Sequence, residues 1–154
     1  MRRSAGILLH RRGPEGLEVW IGHMGGPFWA RTEERAWSIP KGEVEDGEAD
    51  DLAVARREFA EEIGAPAPDA DYAALGDFRY ASGKVVAVFA AEAADFAPAE
   101  VRSNTFELEW PPRSGRMQAF PEIDRAEWVP VARARELLVA GQASVLDALE
   151  RLLG

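Results

Sequence analysis

The segment from Asp51 to Ile63 constrains the fold of this chain most strongly, because its apolar residues follow the period of an α-helix and form one stripe. The stripe consists of Leu52, Ala55, Phe59 and Ile63. Asp50 or Asp51 is suited to cap the amino end. Gly64 is suited to end the helix, and Pro66 prevents its continuation. The sequence therefore predicts an amphipathic helix that must pack its apolar side on other elements.

Three glutamates lie on a different face of the same predicted helix. Glu58, Glu61 and Glu62 are spaced i, i+3 and i+4, which places them side by side. Carboxylates this close repel one another, and each raises the pKa of the others unless a positive charge lies among them. They also lie near the carboxyl end of the helix, where the helix dipole disfavours anions. Such a face is either solvated or holds a cation, and the three glutamates alone leave both alternatives open.

The rest of the chain changes irregularly between strand-like and helix-like periods. Strands are predicted at residues 5–10, 17–22, 72–80, 84–91, 105–110 and 126–129, and helical segments at residues 131–139 and 144–153. A turn signal at residues 13–16 predicts that the first two strands form a hairpin. Residues 25–36 form a long irregular loop, which is more often functional than not. We expect a single domain over residues 1–154, an α/β fold in which a mixed β-sheet packs against helices.

Composition narrows the classes of function. Asp and Glu number 27 against 18 Lys and Arg, and the net charge of −9 opposes non-specific binding to nucleic acid or anionic lipid. No apolar run approaches the ~18 residues of a membrane span, so we expect a cytoplasmic protein without membrane contact. The absence of cysteine excludes a thiol nucleophile and Cys-ligated zinc. His10 and His23 are the only histidines, so a bound metal would be held by oxygens, which favours Mg²⁺ or Mn²⁺.

Glycine turns precede the helix that bears the glutamates. Gly42 follows Lys41, and Gly47 precedes Glu48. Glycine allows the backbone to approach a ligand closely, which makes Gly42 a candidate substrate-binding position. Lys41 is placed to contact a phosphate as a point charge, and a solvated turn lysine is the alternative. Arg57 lies among the glutamates and is placed to pair with Glu48, which would fix the loop to the helix.

Residues 39–65 resemble the signature segment of the Nudix hydrolase family, the Nudix box. In that box a glutamate follows a glycine after five residues, and seven more residues lead to the pattern Arg-Glu-apolar-any-Glu-Glu-any-Gly-apolar. Gly42 and Glu48 fit the first part, and residues 57–65 fit every position of the second part. Eight residues rather than seven separate Glu48 from Arg57 in this chain. We place the extra residue within residues 49–51, before the helix begins.

The resemblance implies a Nudix-type α/β/α sandwich and hydrolysis of a diphosphate linkage in a nucleoside diphosphate derivative. It implies a Mg²⁺ or Mn²⁺ ion held by Glu58, Glu61 and Glu62, which neutralises the diphosphate and activates water. It also implies that Arg57 and Glu48 support the site through their ion pair. The partner would be a small-molecule nucleotide or polyphosphate substrate.

The general base is left open between two positions. The family varies in which carboxylate takes the proton from water. Glu61 is one candidate, and a glutamate outside the box is the other. We choose Glu122 for that position ahead of Glu107 and Glu109, and plain surface charge is the alternative for all three of these outer residues.

Aromatic and basic residues supply the candidates for substrate binding. Phe28 and Trp29 lie in a Gly/Pro loop and are favoured as a platform for a base, whereas Trp37 and Trp110 are predicted to pack in the core. Tyr80 lies near the position of a tyrosine that follows the box in relatives acting on dinucleoside polyphosphates. Four loop arginines are candidates to steer a polyphosphate or are plain surface charges: Arg31, Arg35, Arg113 and Arg116.

Several alternatives remain at the level of function. Dinucleoside polyphosphates are slightly favoured as substrates over nucleoside triphosphates and ADP-ribose, and the protein is expected to be a monomer or a homodimer. The alternative to an enzyme is a catalytically silent Nudix-fold module that binds or senses a nucleotide. A calcium-binding domain needs alternating Asp and Asn ligands closed by Glu, and residues 46–51 lack that spacing.

Overall fold

The computed structural model describes residues 2–154. The strands in this range are β1 (Arg3–Gly13), β2 (Gly16–Met24), β3 (Trp37–Ser38), β4 (Lys41–Glu43), β5 (Ala73–Arg79), β6 (Val85–Glu92), β7 (Thr105–Glu109), β8 (Met117–Pro121) and β9 (Ile123–Pro130). The helices are α1 (Asp51–Ile63), α2 (Val131–Leu137) and α3 (Ala143–Leu153), with a 3-10 turn at Ala140–Gln142. The predicted helix over residues 51–63 is confirmed, and so is the division of the last helical stretch into two.

Within residues 2–154, none of the helices is both long enough and apolar enough to cross a membrane.

Seven strands form one mixed sheet in which β1 is central. β1 runs parallel to β6 along one edge and antiparallel to β2 and β4 along the other. β5 extends the sheet beyond β6, and both β3 and β9 pair antiparallel with β2. The predicted opening hairpin is confirmed, because Gly13 of β1 pairs with Gly16 of β2. β7 and β8 pair only with each other among the described strands and form a second, two-stranded sheet.

Successive residues of β1 face opposite sides of the large sheet. Ile7 and Leu9 pack in one core with Phe59 of α1. Leu8 packs in a second core, which includes Leu146 of α3 and apolar residues of α2. This period-two alternation is what a strand buried on both faces requires. The chain therefore forms the expected α/β/α sandwich, with a mixed sheet between α1 and the pair α2 and α3.

Both ends of α1 are set by local residues. The Asp50 carboxylate accepts hydrogen bonds from the N–H groups of Leu52 and Ala53, at 3.0 Å and 3.3 Å. Gly64 adopts a left-handed conformation with φ of 82°, and its N–H donates to Ala60 O. Glycine tolerates this conformation without strain, so it ends the helix cleanly. The helix is thus held in register by its own sequence, which fixes where its glutamates point.

Two strands, β2 and β4, pair with different parts of the same edge of β1. The first residues of β1 pair with β4, and its last residues pair with β2. Between them, Ile7 N–H donates to Pro40 O at 3.1 Å. A Cβ atom on Gly6 would lie 2.8 Å from Pro40 O and 2.9 Å from Lys41 Cβ, so only glycine permits this contact. The close fit brings Lys41 and β4 against α1.

Some expectations differ from the structure. The periodicity does not predict β3 or β4, because strands of two and three residues are too short to show alternation. It does not predict β8 because residues 117–121 do not alternate between apolar and polar side chains. The strand expected at residues 126–129 is part of the longer β9. Trp37 is buried as predicted. The prediction that Trp110 packs in the core is wrong, because Trp110 belongs to neither core and contacts Phe28 instead.

Candidate active site

The glutamate face of α1 is in contact with β4. The backbone N–H of Lys41 donates to Glu62 Oε2 at 3.2 Å. A Cβ atom on Gly42 would lie 1.9 Å from Glu58 Oε2 and 2.1 Å from Glu58 Cδ. No side chain larger than hydrogen fits between the strand and this carboxylate. The lysine-glycine turn and the helix therefore form one site rather than two neighbouring motifs.

Burial perturbs the ionisation of the facing groups. Burial is the main cause that raises the pKa of Glu62 to about 7, and the charges of Glu122 and Glu58 raise it further, whereas Lys41 opposes the change. Burial also lowers the pKa of Lys41, and the charge of Lys84 adds to this effect. Burial raises the pKa of Glu58 as well, against the effect of Arg57. Burial thus makes these carboxylates harder to ionise than they are in water.

Arg57 forms the expected ion pair with Glu48. Its Nη2 atom donates to both carboxylate oxygens of Glu48, at 2.9 Å and 3.0 Å. The pKa of Glu48 is lowered by a hydrogen bond from the Glu45 N–H and by Arg57. The extra residue before the helix leaves this pair intact, because α1 begins only after the Asp50 cap.

Arg57 also reaches the glutamates on its own helix. Its Nη1 atom donates to Glu58 Oε1 at 2.9 Å and to Glu61 Oε1 at 3.3 Å. Glu61 is the more exposed of these two carboxylates, with 43% of its side chain accessible against 15% for Glu58. The guanidinium therefore bridges the face of the helix on which the resemblance places a metal.

The donor chemistry fits a hard divalent cation. Glu58, Glu61 and Glu62 offer only carboxylate oxygens, the ligands that Mg²⁺ and Mn²⁺ prefer. Glu62 is half-buried and forms no ion pair with any of the described residues. Within residues 2–154, no three acidic or histidine side chains already converge on one point as metal ligands. Glu58 and Glu61 are instead engaged by Arg57, so they would have to exchange that contact for the cation.

Glu122 joins this group from a distant part of the chain. It lies between β8 and β9, where its N–H donates to Asn104 O and its carbonyl oxygen accepts from Gly25 N–H, both at 2.9 Å. The charge of Glu122 acts on Glu58, Glu62 and Lys41, so Glu122 lies within electrostatic range of the same site. Asn104, which the sequence analysis does not identify, is also bonded to α1, because its N–H donates to Glu61 O at 3.2 Å.

The two weaker candidates for the base lie on β7. Both carboxylates of this strand are exposed. The Glu109 carboxylate accepts from the N–H groups of Arg113 and Gly115 in the following loop, at 3.3 Å and 3.1 Å. Glu109 therefore holds that loop, and Glu107 makes no hydrogen bond with another described side chain.

The aromatic candidates lie on a loop beside the site. Phe28 is 66% exposed and Trp29 is 36% exposed. Phe28 meets Trp110 edge to face, with ring centroids 5.6 Å apart. Phe28 and Trp29 are thus accessible, as a base platform requires, and their role stays a prediction.

Tyr80 lies at the opposite layer of the sandwich. It packs against the core that contains α2 and α3. Its hydroxyl accepts a hydrogen bond from Gln142 Nε2 at 2.8 Å. Gln142 is itself buried, and its Oε1 accepts from Ile39 N–H at 2.8 Å. The structure does not bring Tyr80 into contact with the glutamates of α1, and it shows a link through Gln142 that no sequence motif indicates.

The loop arginines fall into two groups. Arg35 donates to Arg135 O at 2.7 Å and to Leu138 O at 3.1 Å, so it anchors its loop to the end of α2. Arg31, Arg113 and Arg116 are exposed, and none of the three forms an ion pair with residues 2–154. Only the second group is free to meet an anionic ligand.

Comparison with known proteins places this geometry in context. Residues 1–149 match the model of the NUDIX domain. A comparison with curated protein sequences gave no match.

Three solved structures illustrate the likeness of the fold. A Caenorhabditis elegans Ap4A hydrolase in a binary complex has 21% identity and a TM-score of 0.67, over 99% of this chain and 98% of that chain. A MutT protein from Methanosarcina mazei has 18% identity and a TM-score of 0.60, over 99% and 94%. The NUDIX domain of Shewanella oneidensis NrtR, in complex with ADP ribose, has 14% identity and a TM-score of 0.61, over 99% and 88%.

Proposed function

This chain belongs to the NUDIX domain family, which supports a hydrolase acting on phosphoanhydride bonds, and we propose that it is a divalent-metal-dependent pyrophosphohydrolase. Its substrate in this proposal is a nucleoside diphosphate derivative, cleaved at the diphosphate linkage. The alternative is a nucleotide-binding or sensor module without turnover. The enzyme would release product in a metal-dependent reaction, and the sensor module would not.

One observation carries the proposal, and it is the fit of Gly42 against Glu58 next to the half-buried Glu62. A Cβ atom on Gly42 would lie 1.9 Å from Glu58 Oε2, so glycine at this position lets the carboxylate approach the strand. Burial that raises the pKa of Glu62 to about 7 indicates a carboxylate short of positive charge. Glu122 adds a further negative charge to the same place. This arrangement supports a cation-binding site that faces an anionic substrate.

The residues of the site divide the work as follows. A bound Mg²⁺ or Mn²⁺ would neutralise charge on the diphosphate and lower the pKa of the attacking water. Glu58, Glu61 and Glu62 hold that ion in the proposal, and Glu122 takes the proton from the water. Glu61 is the alternative base, because it is the most exposed of the three helix glutamates.

The remaining residues bind and position. Lys41 places a positive charge beside Glu62 and Glu122, where it can meet a phosphate oxygen. The Glu48–Arg57 pair holds the loop before α1 against the helix, so that Gly42 stays in place. Release of Nη1 of Arg57 from Glu58 would accompany cation binding.

The substrate is proposed to be a dinucleoside polyphosphate ahead of a nucleoside triphosphate or ADP-ribose. An Ap4A hydrolase and an ADP-ribose complex stand among the similar folds, and both ligands contain an adenosine diphosphate unit. The exposed Phe28 and Trp29 support an aromatic base in the substrate. Tyr80 is retained as a proposed substrate contact, to be tested by substitution.

The experiment is a hydrolysis assay on a nucleotide panel with Mg²⁺, with Mn²⁺ and with chelator. The panel holds diadenosine polyphosphates, ADP-ribose, and normal and oxidised nucleoside triphosphates. We expect metal-dependent cleavage of at least one member and its loss in Glu62→Gln. Glu122→Gln should lower kcat roughly 100-fold or more, the usual contribution of a general base.

A matched control separates the site from surface charge. Glu107→Gln removes an exposed carboxylate from the neighbouring strand and should leave kcat unchanged. If Glu61→Gln and not Glu122→Gln abolishes the pH dependence of kcat, Glu61 is the base. Binding of metal and nucleotide without cleavage of any panel member would favour the sensor module.

Four further proposals concern the whole chain. We propose that residues 1–154 act as one domain in the cytoplasm, as a monomer or a homodimer. We also propose that the net charge of −9 keeps the protein from binding nucleic acid non-specifically. Light scattering and a filter-binding assay with duplex DNA test the last two points.

A further inference from the structure

Phe28 and Trp110 form an aromatic corner at the surface. Their ring planes meet at 84°, and their centroids lie 5.6 Å apart. Phe28 is 66% exposed, and Trp110 is half-buried outside both cores. The exposed Phe28 ring beside the half-buried Trp110 ring contributes little to either core and is accessible to a ligand. Two perpendicular rings offer a planar ligand one face for stacking and one edge for contact.

The hairpin of β7 and β8 holds Trp110 in a fixed place. The backbone N–H of Trp110 donates to Arg116 O at 2.9 Å, and Gln118 Nε2 donates to the backbone carbonyl oxygen of Trp110 at 2.8 Å. The Glu109 carboxylate binds two backbone N–H groups of the loop at the tip of the hairpin. Phe106 and Phe120 lie opposite each other on the hairpin, with centroids 6.0 Å apart. Trp110 is thus presented by a braced element, as a binding residue requires.

Two glycines seat the loop of Phe28 on this hairpin. A Cβ atom on Gly25 would lie 2.1 Å from Pro121 O, and one on Gly26 would lie 2.8 Å from the Phe106 ring. Side chains at either position would push the loop away from the hairpin. The sequence therefore provides the space that lets Phe28 meet Trp110.

The corner is continuous with the proposed active site. The root of the hairpin is bonded to α1 through Asn104 N–H and Glu61 O, and Asn104 O accepts from Glu122 N–H. Gly25 N–H donates to the carbonyl oxygen of Glu122. Phe28 follows Gly25 by three residues, so their Cα atoms lie at most about 11 Å apart. A ligand that reaches Glu122 with its phosphates can therefore reach Phe28 with its base.

The charges around the corner favour a nucleotide over an uncharged partner. Arg113 and Arg116 lie in the hairpin loop that follows Trp110, and Arg31 lies three residues after Phe28. None of these cations forms an ion pair with the described residues, although the chain as a whole has a net charge of −9. An aromatic face beside unpaired arginines is the chemistry that recognises a base joined to phosphates.

From this arrangement, we propose that Phe28 and Trp110 form a base-binding corner and that the hairpin of β7 and β8 is the specificity element of the site. The proposal rests on the proposed function, because it supplies the base contact of the same substrate. It assigns to Trp110 a binding role in place of a core role. It also limits the substrates to molecules with a planar base next to the cleaved diphosphate.

The first test measures binding without turnover. ADP is titrated against the full chain in the presence of chelator, and tryptophan fluorescence is followed, with inorganic pyrophosphate as the base-free probe. We expect ADP to quench the fluorescence, and Phe28→Ala and Trp110→Ala to raise its Kd roughly 10- to 100-fold. Pyrophosphate binding should be unchanged in both variants. Trp110→Phe, which retains a ring, should keep most of the affinity.

Leu152→Ala is the control for the loss of an exposed apolar side chain. Leu152 is 49% exposed on α3, far along the chain from the hairpin, and its truncation should leave ADP binding unchanged. Because Phe28 is exposed, Phe28→Ala should also melt at the wild-type temperature. An ADP affinity that is absent from the wild type, or equal in wild type and both variants, overturns the inference.

A second test separates this inference from the proposed function. With Mg²⁺ present, Trp110→Ala should raise KM for the nucleotide substrate and leave kcat nearly unchanged. If the wild type cleaves no nucleotide but its ADP binding still depends on Trp110, the proposed function fails and the base-binding corner stands. If Phe28→Ala instead dissolves a dimer and leaves ADP affinity unchanged, the corner is a contact between two copies and the inference is wrong.

Discussion

Among single residues, Gly42 and Glu58 make the most restrictive contact of the site. The space between them admits a hydrogen atom and no methyl group. The neighbouring atom is a side-chain carboxylate rather than backbone, so it can swing aside when the space is filled. A substitution at Gly42 can therefore disrupt the site without disrupting the fold.

Gly42→Ala should abolish metal-dependent hydrolysis while leaving thermal stability close to that of the wild type. The new methyl group displaces the Glu58 carboxylate, which the proposal requires as a metal ligand. Gly13→Ala is the matched control, because its Cβ would likewise lie 2.4 Å from a carboxylate oxygen, that of Glu18, outside the site. Assays of kcat and melting temperature on both variants check this, and equal activity of the two would contradict the proposed metal site.

His10 gives a prediction for the pH dependence of stability. It is buried in β1, and burial lowers its pKa from 6.5, with Glu92 opposing and Arg12 adding to the effect. As the pH falls below about 6.5, the unfolded chain binds this proton before the folded chain does, so the free energy of unfolding decreases.

His10→Gln should remove this part of the acid sensitivity. Urea unfolding from pH 8 to pH 5 should show the stability of the wild type falling relative to that of the variant as the pH decreases. Curves that stay parallel over this range would show that His10 binds a proton equally in both states.

At the scale of elements, the Asp50 cap sets the residue at which α1 begins. Asp50 satisfies two backbone N–H groups that would otherwise lack partners at the helix end. Because the Glu48–Arg57 pair spans this same start, the cap also sets the register between the loop and the helix.

Asp50→Ala should destabilise the protein by about 1 kcal/mol. For a chain of this size, that corresponds to a fall in melting temperature of about 2–4 °C. Asp71→Ala, which removes an exposed acid without a cap, should leave the melting temperature unchanged. A calorimetric scan of both variants checks the prediction, and equal melting temperatures would show that the cap contributes nothing.

At the scale of the whole molecule, Gln142 links the layer of α2 and α3 to the segment that leads into the proposed active site. Its Oε1 accepts from Ile39 N–H, and its Nε2 donates to Ser38 Oγ and to the Tyr80 hydroxyl, all within 2.9 Å. The segment that it holds leads directly into Lys41 and β4. The position of the site thus depends on a side chain in a different layer.

Gln142→Leu should cost about 1–3 kcal/mol, because it leaves the buried Ile39 N–H without a partner. It should also weaken hydrolysis by loosening the strand that carries Lys41. Tyr80→Phe is the companion variant, because it removes only one of the three hydrogen bonds and should cost less. If Tyr80→Phe raises KM without changing stability, Tyr80 binds substrate, as the sequence analysis predicts.

Much of the site could be predicted from sequence because its information is local. The spacing of Glu58, Glu61 and Glu62, the cap and the terminal glycine all lie within one helix, whose period fixes their directions. The opening hairpin follows from a turn between two alternating strands in the same way. The mixed sheet is predicted from the irregular order of strands and helices, and the α/β/α sandwich from the resemblance to a known family.

The rest is set by contacts between residues far apart in the sequence. Backbone hydrogen bonds to Asn104 and Gly25 hold Glu122 near the glutamates, and Gln142 meets Ile39 across 103 positions. The sequence predicts that Trp110 packs in the core, but its hairpin contributes no residue to either buried core. Local periodicity determines which face of an element is apolar, but it carries no information about which distant element will cover that face. The sequence by itself therefore determined the helix that carries the glutamates, and the tertiary structure decided which residues surround it.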